Sequence, residues 1–560
     1  MKVLRMALTA FLCLQMALVP SLEACTNLIV GKRASADGST IVTYSSDDYG
    51  AYGYLFWQPG GKHKPGETRS LYHYETNNYL GEIPEADSTY QVIGLTNEKQ
   101  LTIVETTFGG REELYDGEGI FDYGSLMQVT LQRAKNAREA LRTMVDLVEK
   151  YGYQSEGESF TIADPNEAWV MDMIGKGKGQ KGALWVARRI PDDCICAHAN
   201  HSRIRQFPQT KKVDKRLGYY VVGDSCMYSR DVITFAREKG YYSGRDADFS
   251  FSEAYAPTDF GAMRYCEARV WSFFNRCGAT DMTPYLDYAK GENPRHPMPL
   301  YIRPSHKLTL QEVKDAMRDH YEGTPFAIQD DLGAGPYEMP YRPTPLSYEV
   351  DGKKYFNERP ISTQQASCIY VAQMRSWLPD YIGGVLWFGN DDPNMVALVP
   401  IYCCTKGAPE CFDVRTADTF TFSFKSAFWM CNWVSNMVYM RYCQLYPELK
   451  AVRDRLEQDY TALQPQIERE AATMDEASAR KYLTEYSHRM SGGMLSAWMD
   501  LAQLLIVKYN DMTVKTTDSL GNYKKTAGGY QVPVERPGYP QRYRRHIVEQ
   551  THDRYLLPQE

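Results

Sequence analysis

The chain has 560 residues, 43% of them hydrophobic and 24% charged, which is enough for two packed units or one large domain with an appendage around a sizeable core. Its formal net charge of −7 argues against nucleic acid as a partner, because phosphate binding needs a clustered positive footprint. The 13 cysteines are too few for a disulfide scaffold at this length, and the 42 tyrosines read first as core and interface packing.

Residues 1–24 have a basic start (Lys2, Arg5) and an apolar run over 6–19 broken by Pro20, too short to span a membrane and with the anatomy of a signal peptide. The protein is therefore expected to be exported, periplasmic or secreted. Leu22-Glu23-Ala24 offers a small residue at −1 but a bulky one at −3. Three routes stay open: cleavage after Ala24, earlier cleavage with removal of a propeptide ending at Ala24, or lipidation of Cys25, for which Leu22 and Ala24 fit and Glu23 does not. Only the last would tie the chain to a membrane. If Cys25 becomes the first residue, one residue supplies both a thiol and a free α-amine, with reference pKa values of roughly 8.5 and 7.7–8. An amine so close to neutrality can accept the thiol proton, which is the chemistry of an N-terminal-nucleophile hydrolase.

Residues 25–31 alternate as a strand, as do 40–44, and 34–39 supply the turn chemistry of a hairpin. A turn centred near Ala36 and Asp37 brings the residues around Asp47 and Asp48 opposite Cys25, so 44–48 are expected to touch the nucleophile. The Gly/Pro-rich, aromatic stretch 51–70 is expected to be an extended loop over the site. Strands at 90–95 and 101–107 lead into Glu105-Thr106-Thr107-Phe108-Gly109-Gly110-Arg111. There the glycines permit close backbone approach, and the Thr hydroxyls and amides are donors suited to an oxyanion. Helical periodicity covers 122–151 with a break near Asn136, which stands three residues before Glu139 as in a capping box. A hairpin is expected at 159–174, then strands at 183–190 and 194–200. The order strands, helices, strands suits a layered α+β domain with two mainly antiparallel sheets between helices.

His198 and His201 alternate to opposite faces of a strand without a third ligand, so no metal is expected, and Asn200 and Arg203 are read as polar groups aimed at a substrate. Helices follow at 226–240 and 260–277, and a capped helix runs from Thr309 to about 321. Asp246 and Asp248 lack the turn glycine and later acidic ligand of a calcium loop. Strands return at 367–374, 384–388 and 395–402. Long helical patterns then occupy 424–446, 447–464 and 474–509, with Pro447 and Pro465 expected as breaks. The last fifty or so residues are polar. Cys404 and Cys411 flank a Gly/Pro turn and are placed to close a small loop, whereas Cys194 and Cys196 share a strand face as buried thiols.

The stretch Cys25-Thr26-Asn27-Leu28-Ile29-Val30-Gly31-Lys32, with Ala36-Asp37-Gly38-Ser39-Thr40 and Asp47-Asp48, resembles the cysteine dipeptidases of the N-terminal-nucleophile superfamily, dipeptidase A type. Residues 105–111, 134–140, 159–165, 185–192, 199–200 and 383–389 extend the resemblance over roughly 25–405. It implies an αββα sandwich with a C-terminal helical extension, divided as leader 1–24, catalytic domain 25–410, helical region 411–510 and polar tail 511–560. It also implies release of Cys25 by proteolysis and hydrolysis of short peptides, mainly dipeptides, with no metal or other cofactor. By position Cys25 is nucleophile and base, and Asp47 is the acid that orients its α-amine. Many relatives carry Arg three places before that acid. Here Tyr44 stands there, and a neutral phenol cannot replace a guanidinium's charge, which leaves the source of positive potential beside the thiolate open. Thr107, with Thr106 beside it, and Asn200 fall near the superfamily's oxyanion contributors. Glu105 is placed by its charge to receive the free amine of a dipeptide, and Thr106, Arg111 and Arg203 join the substrate-binding set.

Two other functions remain in competition. One is an amidase or acylase on a non-peptide amide, since the superfamily shares its nucleophile while the pocket sets the substrate. The other is a lipid-anchored peptide- or glycan-binding protein in which Cys25 is acylated and silent. Oligomeric state is left open.

Overall fold

The computed structural model describes residues 25–529 and 531–558, so the expected leader 1–24 lies outside the described residues. Cys25 precedes the first strand, β1 (Asn27–Val30), which returns as β2 (Thr40–Asp47). The turn forms as its residues dictate: Asp37 Oδ1 accepts from the backbone and hydroxyl of Ser39 at 3.0 and 2.6 Å, and Gly38 takes a φ of 88°. Ile29 pairs with Val42 and Thr26 bridges to Ser45, two residues earlier along the second strand than the turn count expects. Cys25 still faces the end of β2, where the ladder to the next strand is bulged between Ser46 and Asp47. Such bulges re-aim side chains beside functional sites.

Further along come β3 (Trp57–Gln58), β4 (Val92–Ile93), β5 (Thr96–Asn97) and β6 (Thr102–Gly109). Helices α1 (Tyr123–Arg133) and α2 (Ala137–Tyr151) follow, capped by Asp122 and Asn136, whose side chains accept from the Ser125 and Glu139 backbone N–H at 2.9 Å. Next are β7 (Gly157–Ala163), β8 (Ala168–Gly175), β9 (Ala183–Ile190), β10 (Ile195–His198), β11 (Tyr220–Val222), β12 (Cys226–Tyr228) and the short helix α3 (Val232–Glu238). The expected helix over 226–240 is thus part strand, because Cys226 to Tyr228 pair with β9 on one side and β11 on the other. Helix α4 (Ala268–Cys277) continues a π-helical turn over Ala262–Glu267. After β13 (Tyr301–Ile302), α5 (Leu310–Ala316) carries the Thr309–Glu312 capping box and stops short of 321. The strands β14 (Ala366–Met374), β15 (Val385–Asn390) and β16 (Val399–Tyr402) precede α6 (Ala427–Met440), α7 (Tyr442–Ala472) and α8 (Glu476–Tyr509).

Two antiparallel sheets result, a mixed α and β architecture of the α+β type. One has seven strands in the order β13-β10-β1-β2-β14-β15-β16, and the other nine, β11-β12-β9-β8-β7-β6-β5-β4-β3. Helices α1 and α2 lean on the nine-stranded sheet, α7 and α8 on β16 of the seven-stranded one, and β6 touches β1 and β2 between them. His198 of β10 ties the sheets together. It hydrogen-bonds Thr106 of β6 and Thr161 of β7 at 2.7 Å and Asn27 of β1 at 3.3 Å, and burial pushes its pKa down to about 3.

Two expectations are overturned in the helical region and the cysteines. Pro447 and Pro465 lie inside α7 and do not break it. Each removes one N–H from the helix, but the face carrying Leu449, Arg453, Glu457, Tyr460, Gln464 and Ile467 is buried at steps of three and four, and tertiary packing outweighs local propensity. Glu457 on that face is a buried partner of Arg318 and accepts from the Leu398 backbone N–H at 2.8 Å. Cys404 and Cys411 are free thiols, as are the other cysteines among the described residues. The stretch expected as a loop at 51–70 contains β3 and short ribbon strands, and the polar tail contains a helix at Gln541–Thr551.

Candidate active site

Cys25 is 8% exposed, and its Sγ lies 3.5 Å from the Tyr44 hydroxyl and 3.8 Å from Glu105 Oε1. Tyr44 in turn donates to Glu105 Oε1 at 3.0 Å, so the middle of β2 and the middle of β6 meet at the sulfur. Burial, and then the carboxyls of Glu105 and Asp47, push the Cys25 thiol well above its usual pKa, while the Tyr44 hydroxyl and the Asp47 backbone N–H pull the other way. The sulfur is therefore a neutral thiol at rest and needs a base in contact with it before it can attack.

Asp47 ends β2 fully buried. Its Oδ2 pairs with the Arg359 guanidinium and accepts from Ser45 Oγ at 3.2 Å, and its backbone carbonyl accepts from Gln365 Nε2 at 3.1 Å. Its Oδ1 is buried without a hydrogen-bond partner among the described residues. Burial raises the Asp47 pKa and Arg359, with Arg269 behind it, draws it back. Arg269 of α4 reaches the nucleophile from the other side. It donates to the Cys25 carbonyl at 2.7 Å and Thr26 Oγ1 at 2.8 Å, and to the Ala199 carbonyl and Asn200 Oδ1 at 3.0 Å. Burial lowers its pKa only to about 10, so it stays charged at neutral pH. Arg269 thus holds the backbone of the nucleophile and Arg359 its Asp47 neighbour, while Tyr44 faces the sulfur itself.

Neither arginine stood out in the sequence. Arg269 lies 244 residues and Arg359 312 residues from its partner near the nucleophile, beyond the reach of any local pattern. The one available signal was Arg269 itself, a charge set in the apolar run Ala268 to Phe274.

Asn200 takes a left-handed φ of 62° at the end of β10, and its Nδ2 donates to the Thr107 carbonyl at 2.8 Å. Thr107 Oγ1 donates to Glu158 Oε1 at 2.9 Å. Both Asn200 and Thr107 line a cavity of about 750 Å³, together with Glu75, Glu156, Glu158 and Arg111. Arg111 lies at its wall, donating to the Ala254 carbonyl at 2.7 Å and stacking 3.8 Å over the Tyr241 ring. Thr106 takes the opposite face of β6 and spends its hydroxyl on His198. Arg203, expected to aim at substrate, points elsewhere: it is buried against Glu267 at 2.8 Å and donates to the carbonyls of Ala197, Pro299 and Leu300. His201 also faces Glu267, and no group of three potential ligands occurs among the described residues.

A family model for peptidase family C69 matches residues 24–58 and 62–455. The chain belongs to peptidase family C69. Within this C69 peptidase, the matched span holds Cys25, Tyr44, Asp47, Glu105, Asn200, Arg269 and Arg359 and ends inside α7. The chain is 26% identical over 400 residues to a probable dipeptidase of Salmonella dublin, covering 68% of this chain and 81% of that protein. It is 23% identical over 517 residues to a probable dipeptidase of Latilactobacillus sakei, covering 88% and 97%, and 23% identical over 524 residues to dipeptidase A of Lactobacillus helveticus, covering 88% and 98%. The peptidase resemblance of the Cys25 motif is thereby borne out.

Proposed function

We propose that this C69 peptidase is an exported cysteine dipeptidase that hydrolyses short peptides, mainly dipeptides, through Cys25 as the first residue of the processed chain, on an αββα N-terminal-nucleophile fold. The names of the relatives support the substrate class. Two sheets in contact, with helices leaning on each, support the fold. The observation that carries the mechanism is Asp47: its buried, unpartnered Oδ1 belongs to the residue whose backbone N–H faces Cys25 Sγ, where it can hold the ammonium form of a freed Cys25 α-amine.

In this mechanism the α-amine takes the Sγ proton and the sulfur adds to the peptide carbonyl. Asn200, its Oδ1 fixed by the guanidinium that also holds the Cys25 carbonyl, turns Nδ2 to the oxyanion. The C–N bond breaks as the ammonium protonates the leaving amine. Water, deprotonated by the same amine, then splits the thioester to carboxylate and free thiol. The inward-facing, buried sulfur opposes the lipid-anchored alternative.

The test is intact mass of the exported protein after expression of the full chain, with hydrolysis of a dipeptide panel. A terminus at Cys25 and activity abolished by Cys25→Ala are expected. A diacylglyceryl adduct, or activity that survives Cys25→Ala, overturns the reading.

A further inference from the structure

Glu158 stands on β7 opposite Thr107 of β6, and Glu105 lies two residues back along β6, so the two carboxyls are diagonal neighbours on one sheet face. Both are almost fully buried, Glu105 at 1% and Glu158 at 0% exposure. Glu105 Oε1 is occupied by Tyr44 and the thiol, and Glu158 Oε1 accepts from Thr107 Oγ1 at 2.9 Å and Ser155 Oγ at 3.4 Å. The second oxygen of each carboxyl receives no donor from any other described residue, and neither carboxyl makes an ion pair with a described Lys, Arg or His. The two carboxyls meet. Burial raises both pKa values, Glu105 to about 7, and the charge of Glu105 raises Glu158 further. A buried carboxyl pair with no counter-charge is costly to a fold, and it offers its charge to a cation that enters the site.

Its place relative to the sulfur identifies the cation. In an aminoacyl unit the amine nitrogen lies about 2.5 Å from the carbonyl carbon. With a carbonyl carbon about 3–3.5 Å from Sγ, that nitrogen can therefore come within hydrogen-bonding distance, about 2.8 Å, of a carboxylate whose Oε1 is 3.8 Å from the same sulfur. The adjoining cavity wall, with Glu75, Glu112 and Glu156 against Arg111, is acidic as well.

We infer that Glu105 and Glu158 together form the receptor for the free ammonium group of the substrate's N-terminal residue, so that the site takes peptides with an unblocked N-terminus and cuts after their first residue. This rests on the dipeptidase reading, and its test separates the two. The protein expressed from the full chain is assayed with alanyl-alanine, with propanoyl-alanine, which lacks only the amine, and with N-acetyl-alanyl-alanine. The unaltered enzyme is expected to prefer alanyl-alanine over propanoyl-alanine by at least about 100-fold in kcat/KM. Glu158→Gln and Glu105→Gln are expected to raise KM for alanyl-alanine about 10- to 100-fold and to collapse that preference. Equal hydrolysis of the first two substrates by the unaltered enzyme overturns the inference even if neither variant folds. So do variants that lose kcat with KM and preference intact. Hydrolysis of N-acyl amides and of no free dipeptide overturns the dipeptidase reading itself, and this inference with it.

Discussion

The Tyr44 hydroxyl stands between Cys25 Sγ, 3.5 Å away, and Glu105 Oε1, 3.0 Å away, and pulls the thiol pKa down against burial and the two carboxyls. As acceptor from the thiol and donor to the carboxylate it relays polarity between nucleophile and Glu105. Tyr44→Phe keeps the ring against Tyr370 and removes that relay. A hydrogen bond to a charged group is worth about 1.5–3 kcal/mol, so kcat/KM is expected to fall about 10- to 100-fold with the fold intact. Steady-state kinetics beside a near-UV circular dichroism spectrum check it; unchanged kinetics would leave Tyr44 a packing residue only.

Arg359 and Asp47 form an ion pair sealed from solvent, at 2% and 0% side-chain exposure. Removing one partner of such a pair strands the other, which costs about 3–5 kcal/mol, whereas removing both costs far less. Arg359→Met is expected to lose that much stability and to raise the Asp47 pKa further, weakening its hold on an ammonium. Adding Asp47→Asn to Arg359→Met should recover most of the stability and none of the activity. Urea unfolding of both single variants and the double variant measures the coupling.

Glu105 also sets a pH dependence. Burial raises its pKa to about 7, only partly offset by hydrogen bonds from Glu158, Tyr44 and Cys25, and Glu75 pushes it the same way as burial. Its carboxylate, the form that receives an ammonium, is present above about pH 7 and is lost as the pH falls through that value. KM for a free dipeptide is expected to rise about tenfold per pH unit below 7, and KM for an analogue without the amine to stay level. A limb placed instead near an exposed glutamate's pKa of about 4.3 would remove Glu105 from substrate binding.

What the sequence disclosed here followed contour distance. The hairpin from Cys25 to Asp47 was legible because turn chemistry and strand alternation are local, and even so the register was displaced by two residues, with Ile29 opposite Val42. The capped starts of α2 and α5 were legible for the same reason. Arg269, Arg359 and Glu158 were not. The first two reach the site from distant elements, and Glu158 sits one residue before the stretch whose alternation suggested a strand. Pro447 and Pro465 misled because propensity speaks for an isolated helix, while α7 is held by a buried face along its length.

His198 gives the fold itself a pH signature. It is enclosed between the two sheets, and burial, with the charge of Arg203 in the same direction, holds its pKa near 3 against about 6.5 in an unfolded chain. Above about pH 6.5 neither state binds the proton, and His198 contributes no pH dependence. Below it the unfolded chain takes a proton that the folded one refuses, so stability is lost at about 1.4 kcal/mol per pH unit as the pH falls toward 3. In His198→Gln that contribution is gone, although the bonds to Thr106, Thr161 and Asn27 are weakened at every pH. The unaltered protein is therefore expected to be the more stable at pH 7, with its advantage shrinking at about 1.4 kcal/mol per unit below about pH 6.5. Urea unfolding of both proteins at several pH values reads the slope, and an advantage that stays constant would mean a protonated His198 between the sheets.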